Sequence, residues 1–395
     1  MRPDPDRTAY LDSAASTPTR PEAVEAMLPF LAGTFANPSG AHGPSRAARR
    51  ALDAAREEIA SAFGFAPDDV VLTSGGTESD NLAVLGTVSG RPGTVLASAV
   101  EHRAVLAPVR SVGGTLLPVD AHGVVDLDAT RELASAAGRS RRPVTLATLM
   151  AVNSETGVVQ PVQGFADVLS EVAGDALVHC DASQAPTWVD VAAETARCDL
   201  VTISAHKFGG PKGTGALLVR ERAAALLRPV LHGGGQEREL RPGTQNVAGA
   251  VAMAAAARLA VAERAETVRR VGALRDRLAD GLASVGALEP APRSRRVAGS
   301  CHVRVPGVSG EELVLLADRD GVAISTGSAC ASGAREPSHV LLAMGWDEAS
   351  ASEAVRISLG AATSGEEVDH ALAVLCAAVA RLRGAGPARP SGPVC

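Results

Sequence analysis

Through the first two-thirds of the chain, short apolar runs alternate with longer stretches of helical spacing. The runs cover residues 70–73, 94–97, 144–149, 177–180, 200–204 and 216–219. They are rich in Val, Leu and Ile and nearly continuous in their hydrophobicity. This predicts strands buried on both faces of a largely parallel sheet, joined by helices. Between Val251 and Val285 the period changes. Apolar positions Val261, Val268, Val271, Leu274, Leu278 and Leu282 recur mostly at three- and four-residue steps, so a long amphipathic helix is predicted to lead out of the large domain. After the Pro/Arg-rich stretch 289–296 come further strand-like pieces, a Gly/Ser/Ala-rich run at 325–333 and a closing helix near 368–382, which suit a smaller α+β domain. Residues 384–395 are rich in Gly and Pro and are expected to be disordered.

Composition narrows the class. A chain of 395 residues exceeds the usual single domain. Apolar residues make up 46% and aromatic ones only 2%, so the core must be packed from Ala, Val and Leu. A net charge of −6 with both signs scattered leaves no basic face for nucleic acid and no polybasic patch for a membrane. Apolar stretches such as 248–257 are far shorter than the roughly 20 residues that cross a bilayer. The start MRPDPDRTAY is polar where a secretory signal needs a basic opening and an apolar run, so a cytoplasmic protein is expected. The six cysteines show neither CxxC nor Cys/His metal spacing, and free thiols without a metal are expected.

Of the 38 basic residues only Lys207 and Lys212 are lysines. Arginine cannot form a Schiff base and lysine can, so a chemical demand for a primary amine accounts for a surviving lysine; base-composition bias accounts for it equally.

Four segments carry candidate chemistry. In Val70-Val-Leu-Thr-Ser-Gly-Gly-Thr-Glu a strand turns through Gly75 and Gly76 into a helix, whose unpaired amides and positive dipole end suit an anion, although Ser/Thr with Gly is also ordinary capping. Asp181 ends the strand of Val178-His-Cys-Asp-Ala-Ser-Gln at the edge where α/β sheets bind ligands. In pyridoxal enzymes such an aspartate keeps the ring nitrogen protonated; it could equally cap the next helix. The segment Ser204-Ala-His-Lys-Phe-Gly-Gly brings Lys207 to the same edge, where Ser204 and His206 could bind phosphate and Lys207 could hold a cofactor aldehyde. Alone a strand-end lysine is surface decoration, but the three segments in this order point to pyridoxal phosphate. Finally, Cys330 lies among small residues in Gly327-Ser-Ala-Cys-Ala-Ser-Gly, where a structural cysteine would have larger apolar neighbours.

With these segments the chain resembles the cysteine desulfurases of the NifS/IscS type, within the class V aminotransferases of pyridoxal fold type I. The resemblance runs from about Tyr10 to Leu382 and includes YLDSAAS, NPSGAHG, SGGTESDN, EHRAVL, DASQ, SAHKFGGPKG, HGGGQERELRPGTQN, GSACASG and VRISLG. It implies an α/β fold with a mostly parallel seven-stranded sheet plus a small α+β domain. The expected division is a large cofactor-binding domain over 16–258 and a small domain from 1–15 and 259–383.

The resemblance also implies roles. Gly76, Thr77, Ser204 and His206 would hold the phosphate, with Thr244 reaching in from the second subunit of a homodimer. His102 would stack on the ring and shuttle protons, Gln184 would contact the phenolic oxygen, and Asn37 and Arg356 would bind the substrate carboxylate. Lys207 would take the Cα proton of L-cysteine, and Cys330 would receive the sulfur as a persulfide, leaving alanine. The acceptor would be an iron–sulfur scaffold, a tRNA thiolation enzyme or another protein. One departure stands out: the family carries two asparagines before the glutamate where this chain has Asn153-Ser154-Glu155, so Ser154 would hold the phenolic oxygen through a shorter side chain or a water. Transamination on the same fold would leave Cys330 without a purpose.

Overall fold

The computed structural model of the chain describes residues 8–140, 142–327 and 337–384. Two compact units emerge. One comprises Ala14–Ser154 and Val158–Val268; the other comprises the chain up to Ser13, the tripeptide Glu155–Gly157 and the chain from Arg269 onward.

The strands, in chain order, are β1 (Ala9–Tyr10), β2 (Val70–Thr73), β3 (Thr94–Ser98), β4 (Thr115–Leu117), β5 (Val144–Thr148), β6 (Leu177–Asp181), β7 (Leu200–Ser204), β8 (Gly215–Val219), β9 (Ser300–Arg304), β10 (Val322–Ala323) and β11 (Ala354–Ser358). In the larger unit seven of them form one sheet in the order β2-β8-β7-β6-β5-β3-β4. Only β8 runs antiparallel to its neighbours, β2 and β7. The mostly parallel sheet is thus as expected. Strands β5, β6, β7 and β8 are buried at every position, which accounts for their uninterrupted apolar runs. The apolar pattern does not reveal β4, a three-residue edge strand that is only half-buried at its first two positions. The core around the sheet is aliphatic, with Val71, Val95, Leu146, Leu177, Leu200 and Leu217 in one cluster.

The smaller unit pairs β9 with β11 antiparallel and β1 with β10 parallel. Isolated bridges between Asp12 and Ser358 and between Ser325 and Arg356 extend these ladders. The long helix spans Val247–Ala283 and carries the chain from the larger unit into the smaller. The closing helix spans Gly365–Gly384, starting earlier than the apolar positions indicate. Its start is set by polar residues: Ser364 Oγ accepts from Glu367 N, and Glu367 Oε2 accepts from Ser364 N. The expected tail lies, apart from Gly384, outside the described residues. No helix among the described residues is long and apolar enough to cross a membrane.

One close backbone approach is specific to glycine. A Cβ at Gly215, the first residue of β8, would lie 2.6 Å from Gly75 Cα and 2.7 Å from Ile203 O. Gly215→Ala is therefore expected to destabilise the fold by about 1–3 kcal/mol, since neither backbone contact can yield cheaply. Denaturant unfolding of the variant checks this, and an unchanged midpoint would refute it.

Candidate active site

Strands β2, β3, β5, β6 and β7 point the same way, so the residues that follow them collect at one edge of the sheet. That edge is where parallel α/β sheets present functional groups. From β7 the chain enters a short 3₁₀ turn, Ala205–Lys207, which brings the half-buried Lys207 out beside the strand end. Lys207 Nζ donates to Ala14 O at 2.6 Å and to Ala15 O at 3.0 Å. Gln184 Nε2 donates to the same Ala14 oxygen at 2.8 Å. His206 Nδ1 lies 3.2 Å from Ser16 Oγ, and its carbonyl accepts from Thr17 N and Thr17 Oγ1, both at 2.9 Å. The segment Ala14–Thr17 therefore gathers Lys207, Gln184 and His206. No chemical signal in its small residues announces that part, because it is played mostly by backbone carbonyls.

The helix Gly76–Gly90 starts against the ends of β6 and β7. A Cβ at Gly76 would lie 2.9 Å from Ser183 Oγ and 3.5 Å from Ser204 Cβ, so glycine keeps this space open. The result is a cradle with a helix N-terminus on one side and the hydroxyls of Ser183 and Ser204 on the other, which fits a phosphate. Ser183 is absent from the sequence-derived candidates; only the folded chain places it beside Gly76. Glu78 Oε1 accepts from Arg241 Nε at 2.9 Å and its Oε2 from Ser74 N at 2.8 Å, which fixes the first helical turn.

Asp181, at the end of β6, is 7% exposed, and its Oδ1 accepts from Ser183 N at 2.9 Å. A carboxylate so placed fits a cationic ring nitrogen. Beneath it lies a fully buried polar layer. His179 Nδ1 is 2.8 Å from Thr148 Oγ1, its Nε2 is 3.0 Å from Thr202 Oγ1, and the same nitrogen is 3.6 Å from Asp80 Oδ1. Burial first, and the Asp181 charge second, push the Asp80 and Glu101 carboxyls well above the usual range. Burial lowers His179 to about 4, against a smaller opposing pull from Asp181. His206 is also lowered to about 4, by burial first and then by Lys207 and Lys212. Both rings are therefore neutral at pH 7.

His102 caps the helix Arg103–Ser111: its Nδ1 accepts from Ala104 N at 3.1 Å, and the residue is exposed. Glu101 Oε1 accepts from Met150 N at 2.7 Å, and Asn153 Nδ2 donates to Val100 O at 3.0 Å, so the loop after β5 is stitched to the loop that carries His102. Ser154 is half-buried at the end of this stitched loop.

Thr77, on the first turn of its helix, is exposed, and so is Thr244. Asn37 is exposed too, with its Oδ1 accepting from Ser39 N at 2.9 Å in a local turn. In the smaller unit Arg356 is 6% exposed and its Nη2 donates to Asp12 Oδ1 at 2.7 Å. Cys330 lies outside the described residues.

The lowered histidines have a consequence for stability. Between about pH 6.5 and about pH 4 the unfolded chain takes up imidazole protons that the folded chain refuses, so stability falls as pH falls through that window and is unaffected above it. His179→Asn is expected to flatten part of that slope. Urea unfolding of both proteins at several pH values checks this; equal slopes would exclude His179 as a source.

The model of the family described as "Aminotransferase class-V" matches residues 9–371. An IscS-like cysteine desulfurase of Mycobacterium tuberculosis is 42% identical over 390 residues, covering 95% of this chain and 97% of the relative. Among solved structures, a NifS-like protein superposes with a TM-score of 0.87 at 33% identity, covering 95% of this chain and 100% of its own. The structure of SspA in complex with cysteine does so with a TM-score of 0.75 at 32% identity, covering 89% and 98%. Matching over nearly its whole length in both sequence and fold, the chain belongs to the class V aminotransferase family, within its cysteine desulfurase group of the NifS/IscS type.

Proposed function

We propose that this protein is a pyridoxal-phosphate-dependent cysteine desulfurase that converts L-cysteine to L-alanine and hands the sulfur on from Cys330 as a persulfide. The near full-length similarity to proteins named cysteine desulfurases carries this reading, and the geometry around Lys207 supports it. The glycine-lined cradle with Ser183 and Ser204 suits the cofactor phosphate, and Asp181 suits its ring nitrogen. When bound, pyridoxal phosphate supplies a conjugated cationic ring that stores the charge left on Cα after deprotonation.

This chain's own residues would do the rest. Gly76, Thr77, Ser204 and His206 hold the phosphate, with Thr244 of a second copy completing the set in a homodimer. Lys207 Nζ holds the cofactor at rest and then removes the Cα proton. His102 would stack on the ring and return protons to the product. Gln184 and Ser154 hold the phenolic oxygen. Asn37 and the guanidinium fork of Arg356 bind the substrate carboxylate. The Cys330 thiolate attacks the substrate sulfur: an S–S bond forms, the Cβ–S bond breaks, and its electron pair stays with the carbon skeleton that leaves as alanine.

The described cysteines make poor alternatives to Cys330. Burial pushes the Cys180 and Cys376 thiols up and takes Cys301 to about 12, which disfavours their thiolates at neutral pH, and Cys198 is buried. A persulfide on Cys330 would pass to an iron–sulfur scaffold, a tRNA thiolation enzyme or another acceptor in the cytoplasm.

Two experiments test the reading. Cys330→Ser should stay yellow and still change its absorption on adding L-cysteine, because proton removal depends on Lys207, yet release no alanine; sulfide release at the wild-type rate would point to a mechanism without a protein persulfide. Lys207→Ala should lose turnover altogether. Borohydride reduction of the yellow wild-type enzyme followed by peptide mapping should find the cofactor on Lys207, and a label on the exposed Lys212 would overturn the assignment.

A further inference from the structure

The larger unit contains a costly piece of backbone to which the reaction assigns no role. Glu237, Arg238 and Glu239 have φ values of 49°, 57° and 64°, three successive residues with side chains in the left-handed region. A side chain there crowds the neighbouring carbonyl, so single residues of this kind are uncommon and runs of them more so. Glu237 is also 6% exposed, and its Oε1 meets Arg56 Nη2 in a largely buried ion pair. Desolvation makes such a pair a poor source of stability. Two costs therefore fall on one short turn, and strained backbone collects where a site requires a particular geometry.

The contacts of the turn show what it holds. Glu237 Oε2 accepts from Leu72 N at 2.8 Å, and Arg56 Nη1 donates to Val70 O at 2.6 Å. Both main-chain groups belong to β2, the edge strand of the sheet, so the ion pair meets them where a further strand would otherwise pair. Four residues after Glu237, Arg241 Nε donates to Glu78 Oε1 at 2.9 Å, and Glu78 Oε2 accepts from Ser74 N at 2.8 Å. Leu72 and Glu78 stand on the two sides of Gly75 and Gly76, the glycines of the anion cradle. Glu237 thus holds the chain as it enters the cradle, and Arg241 holds it as it leaves. Gly243 N donates to Gln236 Oε1 at 3.0 Å, which closes the gripping segment on itself just before Thr244.

We propose that Glu237 is a positioning residue of the cofactor phosphate: together with Arg241 it brackets the turn 73–76 and fixes the amides at the start of the helix Gly76–Gly90 opposite Ser183 and Ser204. The inference rests on the reading of that cradle as the phosphate site. A phosphate is held by several N–H groups aimed at one point, so a small shift of the turn weakens its binding. Asp181 and Lys207, which serve the ring and the aldehyde, follow other strands and keep their places.

The test measures how the full-length chain, freed of cofactor, binds pyridoxal phosphate and pyridoxal, which lacks the phosphate, by the growth of the yellow absorption. Glu237→Ala should bind pyridoxal phosphate on the order of tenfold more weakly, the scale of a lost hydrogen bond to a charged group, and pyridoxal within about twofold of wild type. Glu237→Gln keeps an acceptor for Leu72 N and should recover most of the loss. Two further variants separate backbone from side chain. Arg238→Gly suits a positive φ and should bind pyridoxal phosphate as wild type does, whereas the β-branched Arg238→Val should resemble Glu237→Ala. If Glu237→Ala weakened both aldehydes equally, its role would be general folding; if it weakened neither, the bracket would do nothing for the site. Either result overturns the proposal, as would an Arg238→Gly variant as weak as Arg238→Val. Should Glu237→Ala fail to fold, the glutamine and valine variants carry the same comparison. If wild type bound the two aldehydes alike, the cradle's assignment to phosphate would fall, and the proposal with it, whatever the variants did.

Discussion

Strands β5 to β8 are buried along their whole length, so a polar side chain in that layer must either find a partner inside it or wait for the strand end. Both solutions occur side by side. Thr148, His179 and Thr202 satisfy one another within the sheet, while Asp181, Ser204 and Lys207 follow at the strand ends. The antiparallel strand β8 takes part by being small where it begins. Its Gly215 sits in register with Thr73 on one side and Ser204 on the other, and it lets the turn at Gly75 cross close to the sheet. The cradle at Gly76 depends on that crossing.

The same burial decides the charges. Asp181 ends its strand above two further carboxyls, Asp80 and Glu101, which would repel it if all three were ionised. Desolvation holds the lower two toward their neutral forms, and it does the same to His179 and His206. The surroundings of Asp181 are thus polar but largely discharged. A single carboxylate facing a cationic ring nitrogen is a stronger partner than one that shares its field with two neighbouring anions.

In the smaller unit the organising contacts run between side chains and loop stems. Arg356 is nearly buried and offsets its charge against Asp12, while its backbone carries Ser325 and through it Gly327. Gly327 in turn tolerates Glu155 only because it has no side chain and can adopt a positive φ. Arg356 and Ser325 are joined by backbone hydrogen bonds, whereas Glu155 meets Gly327 by packing and Ser338 by a hydrogen bond.

Periodicity and composition alone were enough for the alternating α/β plan, the long helix and the strand-end positions of Asp181 and Lys207, because those features are local: a buried strand must be apolar throughout, and the residue after it must face the sheet edge. The scarcity of lysine left only Lys207 and Lys212 as candidate amines and did not by itself choose between them. The edge strand β4 escaped that pattern, being too short and half-exposed. Other features depend on contacts between distant segments. The carbonyls of Ala14 and Ala15 under Lys207, the hydroxyl of Ser183 opposite Gly76, and the placement of Glu155 beside Gly327 and Ser338 arise only when the chain closes on itself. Backbone groups and small side chains are chemically anonymous in a sequence, and they acquire a function from what the fold sets 3 Å away.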